Sequence, residues 1–330
     1  MVVDTNTAVE RMSNQMDSFV DQTVLTRRRT TVYFALSVIW ISANIANADE
    51  LHCRFEPIKT VNNLFKNVQS PHSERHPTLF RWRGQDAVPA DPDSAMATDR
   101  PDVTEASSTV GADVLQIETG YTYVRDRSDG DLSQSHSFPE TLFRYGTPID
   151  WLELRFAANA SQEISPMNSS AGVGDIYVGA KLGLTLQDRA FPEMALVPQM
   201  TIPTGASGFT SNKVLPGLNW LYGWDLNDQI STAGSSQFNF AVDEESNRDY
   251  TEWIQTWTVG YSLHDQVGAY TEWFAFFPHG SDSARTEHYA NCGLTFAATA
   301  DIQFDVRTGM GLNDAAADWF TGIGMAIRFR

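Results

Sequence analysis

The sequence predicts an all-β fold: a transmembrane antiparallel up-and-down β-barrel of about twelve strands, preceded by a flexible N-terminal periplasmic segment. Three observations predict it. From residue 112 onward, apolar and polar side chains alternate over segments long enough for tilted membrane strands, which need about nine to eleven residues. The connections between these segments are alternately long and short. An apolar segment typical of an export signal lies near the N-terminus.

The alternation is clearest in Asp301–Arg307, where every second residue is apolar and the residues between are charged or carry an amide. Residues 175–186 repeat the pattern. Neighbouring side chains of a strand point to opposite faces, so these strands present one apolar and one polar face, as a sheet between lipid and water requires. Strands are predicted at 112–125, 136–147, 150–160, 173–186, 191–203, 213–225, 228–241, 250–263, 265–277, 285–298, 300–310 and 318–330.

The lengths of the connections give an independent signal. Outer-membrane barrels have long outer loops and short periplasmic turns, which alternate along the chain. Longer connections are predicted at 126–135, 161–172, 204–212, 243–249, 278–284 and 311–317, and short ones at 147–150, 187–190, 226–228, 264–265 and 299–301. Pro198 falls inside a predicted strand, where its missing N–H predicts a β-bulge.

The N-terminal region divides the chain into three parts. Arg27-Arg28-Arg29 precedes the apolar run Val32–Ile41, and Ala46-Asn47-Ala48 follows, which is the order of a secretory signal peptide. The apolar core has about ten residues, half the roughly twenty that span a bilayer. We therefore predict a signal peptide at 1–48, a largely irregular periplasmic segment at 49–111 and an outer-membrane barrel at 112–330. A retained membrane anchor and a start at Met12 or Met16 remain open.

Composition excludes several functions. A net charge of −18 would repel a phosphate backbone, so we expect no nucleic-acid partner. Two cysteines do not form a disulfide scaffold or a multi-cysteine metal site, and the histidines lack paired metal-ligand spacing. We expect no cofactor, no metal site and no catalytic residues. A barrel lipase would need a Ser and a His side by side, and the neighbours His136 and Ser137 would face opposite sides of a strand.

Ionisable residues recur on the polar face of the predicted strands, which is the face that would line the lumen. They could line a solute path and select by charge. Alternatively, opposite charges could pair across a narrow interior and fill it. The candidates are Glu118, Arg144, Glu153, Arg155, Asp175, Lys181, Glu272, Asp301, Asp305 and Arg307, and Glu252 and Arg328 share their phase.

A second candidate region lies just before the first strand, in Asp99, Arg100 and Asp102. These charges could dock the N-terminal segment into the periplasmic mouth of the barrel as a plug. They could instead form a local turn held by an Asp–Arg pair. The sequence leaves both interpretations open.

Several motifs resemble those of one family, the outer-membrane transporters of the meta-cleavage pathway of phenol degradation (the MetA-pathway phenol degradation family). The resemblance covers about residues 98–330 and implies a barrel that moves small solutes, with aromatic compounds among the candidates. The matching motifs are Thr98–Glu105, Val114–Tyr121, Glu140–Gly146, Trp151–Arg155, Gly172–Asp175 and Ile202–Gly205.

Together these observations predict a porin-like outer-membrane channel, reached after export through the inner membrane, for passive passage of small solutes, including aromatic or hydrophobic compounds. The expected partners are the outer-membrane lipid bilayer, a small-molecule solute and the barrel-assembly machinery, since the chain closes on an alternating strand with Phe329 near its end. Two alternatives remain open: a structural or adhesive plugged barrel without transport, and a membrane-embedded barrel lipase.

Overall fold

The computed structural model describes residues 78–80, 96–128, 131–243 and 245–330. The predicted signal peptide at 1–48 lies outside these residues, as does most of the predicted periplasmic segment. Within the described ranges no helix is long and apolar enough to cross a bilayer.

The described chain forms thirteen strands, which occupy twelve strand positions around one barrel. We call each of these positions a stave. The alternating segments predicted from sequence therefore become strands. β4 and β5 follow one another along a single stave, because both pair with β3 and only residues 174 and 175 separate them. The strands are β1 Leu115–Ser128, β2 Asp131–Gly146, β3 Leu152–Ser165, β4 Asn168–Val173, β5 Ile176–Thr185, β6 Glu193–Ile202, β7 Leu215–Asp225, β8 Ile230–Val242, β9 Asp249–His264, β10 Val267–His279, β11 Glu287–Thr299, β12 Ile302–Gly311 and β13 Trp319–Phe329.

The sheet closes on itself. Successive staves pair antiparallel, and β1 pairs with β13 in a register that runs from Leu115 opposite Phe329 to Arg125 opposite Trp319. This pairing completes the ring, which confirms the predicted closed up-and-down barrel. Closure satisfies the backbone N–H and C=O groups that an open sheet edge would expose to lipid.

Burial along the strands is inverted relative to a soluble protein. On β3, Glu153 is 0% exposed and Arg155 is 4% exposed, whereas Leu154 between them is 48% exposed. On β12, Asp305 is buried while Phe304 and Val306 are exposed. Charged side chains therefore face the interior and large apolar side chains face outward. An apolar outer surface of this extent requires a lipid environment.

Two of the predicted long connections are wrong in extent. β1 and β2 are separated only by residues 129 and 130, and β3 and β4 only by residues 166 and 167, so the strands continue through most of 126–135 and 161–172. These hairpin ends carry polar residues on both faces, and the apolar–polar alternation that marks a membrane strand is lost there.

The bulge predicted at Pro198 is also wrong. Pro198 lies in register opposite Leu218 of β7, and the ladder between β5 and β6 lapses beside it without a shift. The register shift of this pair falls instead between Gly183 and Thr185. A missing N–H can therefore cost ladder hydrogen bonds without inserting an extra residue.

Candidate functional site

Residues 96–111, here called the inner segment, lie within the barrel and contact distant parts of its wall. Asp99 forms an ion pair with Lys181 of β5, and Arg100 forms one with Asp305 of β12. Backbone N–H groups of the inner segment reach Glu272 of β10. Because β5, β10 and β12 stand at different sides of the closed ring, the inner segment crosses the interior.

Asp99 is surrounded by three wall cations. Its Oδ2 lies 2.6 Å from Arg155 Nη1, and its Oδ1 lies 3.1 Å from Lys181 Nζ and 3.4 Å from Arg144 Nη1. Burial alone would raise the pKa of Asp99, but the charges of Arg144, Lys181 and Arg155 outweigh burial and hold it well below its ordinary value. Asp99 is therefore ionised and electrostatically bound to the wall.

Arg144 links this carboxylate to two more. Its Nε lies 2.9 Å from Glu153 Oε1 and its Nη1 lies 3.0 Å from Glu118 Oε1, and all three side chains are fully buried. We call Asp99, Glu118, Arg144, Glu153, Arg155 and Lys181 the ion network. Buried charges are tolerated when they are paired and hydrogen-bonded, and the network meets that condition with three carboxylates against three cations.

Wall carboxylates also bind the backbone of the inner segment. Glu118 accepts hydrogen bonds from the N–H of Asp99 at 3.0 and 3.1 Å. Glu272 accepts from Val103 N at 2.9 Å and from Thr104 N at 2.7 Å. The inner segment has no helix or strand to pair its own N–H groups, so these carboxylates satisfy donors that would otherwise be buried without partners.

Arg100, the residue after Asp99, contacts wall residues that lie outside the ion network. Its guanidinium lies 3.1 Å from Glu140 Oε2 and 3.3 Å from Asp305 Oδ1. It occupies space beside Gly120 of β1 and Gly324 of β13, where a Cβ on either glycine would overlap it. Glycine at these two positions therefore makes room for the guanidinium next to the wall.

The structure brings together most of the lumen-lining candidates and separates two of them. Asp175 lies at the break between β4 and β5 and accepts hydrogen bonds from Gly205 N at 3.0 Å and Ser211 N at 2.9 Å, so it ties down the loop between β6 and β7. Asp301 lies in the turn before β12, pairs with Arg328 at 2.8 Å and is 44% exposed. Both residues therefore lie outside the ion network.

Arg307 of β12 contacts the inner segment, to which Asp102 belongs. Arg307 donates to Pro101 O at 3.0 Å and to Thr122 Oγ1 at 2.7 Å. Burial and then the charge of Glu272 raise the pKa of Asp102. The ion pairs that Arg100 forms with described residues go to Glu140 and Asp305 of the wall.

A family model decides the relationship of this chain to known proteins. The model of the family "Putative MetA-pathway of phenol degradation" matches residues 98–329, from the inner segment to the end of the last strand. The chain belongs to this family. The resemblance expected from the sequence is thereby confirmed, and the match includes the inner segment along with the barrel.

The first of three similar solved structures shows the same fold in this MetA-pathway family member. An outer membrane channel from Pseudomonas putida F1 is 14% identical with a TM-score of 0.56, over 69% of this chain and 99% of that one. The KdgM porin in complex with disordered oligogalacturonate is 11% identical with a TM-score of 0.41, over 65% and 99%. The translocator domain of NalP from Neisseria meningitidis is 10% identical with a TM-score of 0.44, over 66% and 89%. Among proteins with curated functions, none matches.

In this family member, sequence reasoning missed several interior residues. Glu140, which pairs with Arg100, follows Pro139 at a register shift between Ser137 and Glu140, so its phase could not be counted from the flanking alternation. The amide side chains of Gln116 and Asn291 hydrogen-bond the carboxylates of Glu118 and Glu272. Only their phase on the strand, shared with the charged candidates, could have revealed them.

The rest of the interior divides into an apolar and a polar region. Phe274, Tyr289 and Phe320 pack with Ala316 and with Val103 of the inner segment near the long-loop end of β10, β11 and β13. Across the lumen, the inward faces of β6 to β9 carry amides and hydroxyls toward the long-loop end, and β6 and β7 carry the buried apolar residues Ala195, Val197 and Leu221 toward the short-turn end. The basic side chains of the ion network lie on β2, β3 and β5.

Proposed function

We propose that this protein is an outer-membrane channel for passive passage of small solutes, and that the inner segment controls the path. The observation that carries the proposal is the inverted burial of a closed barrel, with charged side chains inside and apolar side chains outside. A barrel of this kind in a membrane connects two aqueous sides through its interior. Membership of the MetA-pathway family and the fold shared with an outer membrane channel support it.

The proposed path follows the polar region beside β6 to β9. The ion network and the apolar region occupy much of the remaining interior. From the long-loop end, amide side chains of β6 to β8 lead to the buried residues Asn219, Ser235 and Thr256, and Thr104 of the inner segment hydrogen-bonds Thr256. In this proposal the ionisable candidates serve two roles: the ion network and Glu272 of β10 anchor the inner segment, and Glu252 of β9 gives the path its charge.

The proposal includes how the protein reaches its membrane. Residues 1–48 would direct export through the inner membrane, and the barrel-assembly machinery would then insert the barrel. Phe329 is half-exposed on the outer face of β13, a position that suits recognition of the last strand. The transported compounds implied by the family, aromatic or hydrophobic solutes, stay one candidate class.

A plugged barrel without transport is the second candidate, and the inner segment favours it. Hydrogen bonds and ion pairs join that segment to β1, β2, β3, β5, β6, β10 and β12, so it could close the lumen permanently. For the lipase alternative, His136 Nδ1 lies 2.8 Å from Tyr121 Oη, and its register partner is Tyr123 while that of Ser137 is Thr122. That arrangement adds no support for a Ser–His pair.

Single-channel recording distinguishes the two candidates. The full chain, purified and inserted into a planar bilayer, is expected to pass a steady ionic current. Swelling of liposomes that contain the protein, measured with sugars, amino acids and phenol, then ranks the solutes. A purified barrel that is folded, as judged by heat-modifiable migration on a gel, but passes no current would reject the channel in favour of the plugged barrel.

A further inference from the structure

A cavity of about 300 Å³ lies in the polar region near the long-loop end of the barrel. Its volume is at the lower end of the range of about 300–1,000 Å³ that is usual for small-molecule sites. Most of its polar lining comes from one phenol, three carboxamides and two carboxylates. These are Tyr177, Gln199, Gln237, Asn239, Glu105 and Glu252.

The carboxamides form an ordered chain of hydrogen bonds. Tyr177 Oη donates to Gln199 Oε1 at 3.0 Å, and Asn239 Oδ1 accepts from Gln199 Nε2 at 3.4 Å and from Gln237 Nε2 at 3.0 Å. Arg155 Nε donates to the same tyrosine oxygen at 3.3 Å and so ties the chain to the ion network. The side chains are thus held in place before any ligand arrives.

This series of side-chain hydrogen bonds leaves polar atoms of the cavity available to a ligand. The hydrogen bonds of Asn239 and Gln237 with described residues use Asn239 Oδ1 and Gln237 Nε2, which leaves Asn239 Nδ2 as a donor and Gln237 Oε1 as an acceptor. Gly217 on the neighbouring strand makes room for Asn239, since a Cβ there would overlap the Asn239 amide oxygen. A donor and an acceptor side by side suit a hydroxyl group, which can use both.

The charge of the cavity is negative. Glu105 Oε2 lies 3.2 Å from Arg155 Nη2, so one carboxylate has a cationic partner. No described residue forms an ion pair with Glu252, and the charged side chain that acts on it electrostatically is another carboxylate, Glu287. An anion entering the cavity would be repelled, whereas an ammonium group would find a carboxylate with no competing cation.

We propose that this cavity binds a small cationic solute that carries hydroxyl groups next to its ammonium group. The ammonium group would pair with Glu252, and the hydroxyl groups would bond Asn239 Nδ2 and Gln237 Oε1. The site would select solutes at the mouth of the barrel, so this proposal rests on the proposed channel function. Its chemistry differs from that of the aromatic solutes implied by the family.

Three sugars of similar size and different charge test the site: glucosamine, glucose and glucuronate. Binding to the full chain in detergent is measured by isothermal titration calorimetry. We expect glucosamine to bind most tightly, glucose more weakly and glucuronate not at all. Glu252→Gln should weaken glucosamine binding about tenfold and leave glucose binding unchanged, as expected for the loss of one charge-assisted hydrogen bond.

Two further variants complete the test. Glu163→Gln removes the same charge from an exposed position of β3 and should change none of the three affinities. Asn239→Leu should abolish binding of both glucosamine and glucose, with heat-modifiable migration showing that the barrel is folded. Glucuronate binding as tight as glucosamine, an equal effect of Glu163→Gln and Glu252→Gln, or no binding of glucosamine would each overturn the proposal.

The failure of this proposal is separable from that of the channel. A steady current from a protein that binds no glucosamine would leave the channel standing and remove the site. Glucosamine binding to a protein that passes no current would leave the site standing and remove passage.

Discussion

Asp99 Oδ2 lies 2.6 Å from Arg155 Nη1, although the two residues belong to the inner segment and to β3. The same carboxylate also pairs with Lys181 and Arg144. One acidic side chain of the inner segment is therefore shared by three cations of the wall. Without it, Arg144 and Lys181 would lose a carboxylate that both contact, while Arg155 would keep its ion pairs with Glu105 and Glu153. The position of the inner segment and the charge balance of the wall therefore depend on each other.

Replacing Asp99 tests this dependence. Asp99→Asn removes the carboxylate that all three cations contact, and removal of one partner from a buried ion pair typically costs about 3–5 kcal/mol. We expect the inner segment to detach from the wall, its amide hydrogens to exchange faster, and the single-channel current to rise. Asp113→Asn, an exposed change outside the inner segment, serves as control. An unchanged current together with unchanged exchange would show that Asp99 does not hold the inner segment.

Glu272 provides a second attachment point. It accepts hydrogen bonds from Val103 N, Thr104 N and Asn291 Nδ2. Glu272→Gln presents an amide NH₂ where these donors need an acceptor, at a cost of about 1–3 kcal/mol for each buried group left unsatisfied. We expect the amides of Val103 and Thr104 to exchange at least about tenfold faster, measured by hydrogen exchange and mass spectrometry.

The control for that variant is Glu287→Gln. Glu287 also lies on the wall, but it accepts a hydrogen bond from Tyr289 rather than from the inner segment. Equal acceleration in both variants would mean that general loss of negative charge, and not loss of this acceptor, loosens the inner segment.

The attachment should also depend on pH through Asp102. Burial and the charge of Glu272 raise the pKa of Asp102 above its ordinary value of 3.8. The docked segment therefore holds this proton more strongly than a released one, so Asp102 stabilises docking at low pH. That contribution is lost as the pH rises from about 3.8 through the raised pKa.

Hydrogen exchange of the inner segment, corrected for the intrinsic rate at each pH, checks this sign. Protection of Val103 and Thr104 should decrease as the pH rises in the unmodified protein. Asp102→Asn, which stays neutral, should remove most of that slope. A slope that persists in the variant would assign the pH dependence to another group.

The sequence predicted the barrel because the membrane imposes a simple rule on each strand. In β12, the outer face needs apolar side chains next to lipid, and Phe304 and Val306 provide them. Asp305 and Arg307 alternate with these two residues, so the alternation alone predicts that they face the interior. The rule fails where lipid no longer acts, and the extensions of β1 to β4 beyond the apolar band were therefore predicted as loops. It also fails at Glu140, where a register shift interrupts the count.

The partners of the interior residues were beyond sequence reasoning. Arg144 meets Glu118 and Glu153 because the register aligns three adjacent strands, and nothing local specifies that alignment. The inner segment carries no periodicity, so its Asp-Arg-Pro-Asp motif showed charges without showing what they bind. Asn239 is one polar residue among many on β8. The amide-lined cavity exists only because β6 and β8 place such residues at one height, on either side of Gly217 in β7.

Asp243 offers a test of the long-loop end. It accepts hydrogen bonds from Ser246 N at 2.9 Å in its own loop, and from Asp282 N at 2.8 Å and Ser283 N at 2.9 Å in the loop between β10 and β11. These donors, with the hydroxyl of Ser281 first, hold the pKa of Asp243 below its ordinary value. The carboxylate therefore stays charged in mildly acidic medium and keeps the two loops together.

Asp243→Ala should release both loops without opening the barrel. Trypsin is expected to cut after Arg248 and Arg285 faster in the variant, while heat-modifiable migration stays normal. Asp314→Ala, in the loop before β13, is the matched control. Resistance to trypsin equal to that of the unmodified protein would show that the loops are held by other contacts.

Arg100 has a consequence for how the molecule is assembled. Its guanidinium binds Glu140 of β2, Asp305 of β12 and the carbonyl of Ile323 on β13, and thus bridges the place where the first and last staves meet. Those staves can join only after the whole barrel sequence is available, since about 190 residues of the chain lie between Ser128 and Trp319. Arg100 belongs to neither of these staves, yet its contacts stabilise the place where β1 pairs with β13, which is the last pairing of the barrel to form. Any movement that withdraws Arg100 would therefore weaken the barrel at that pairing.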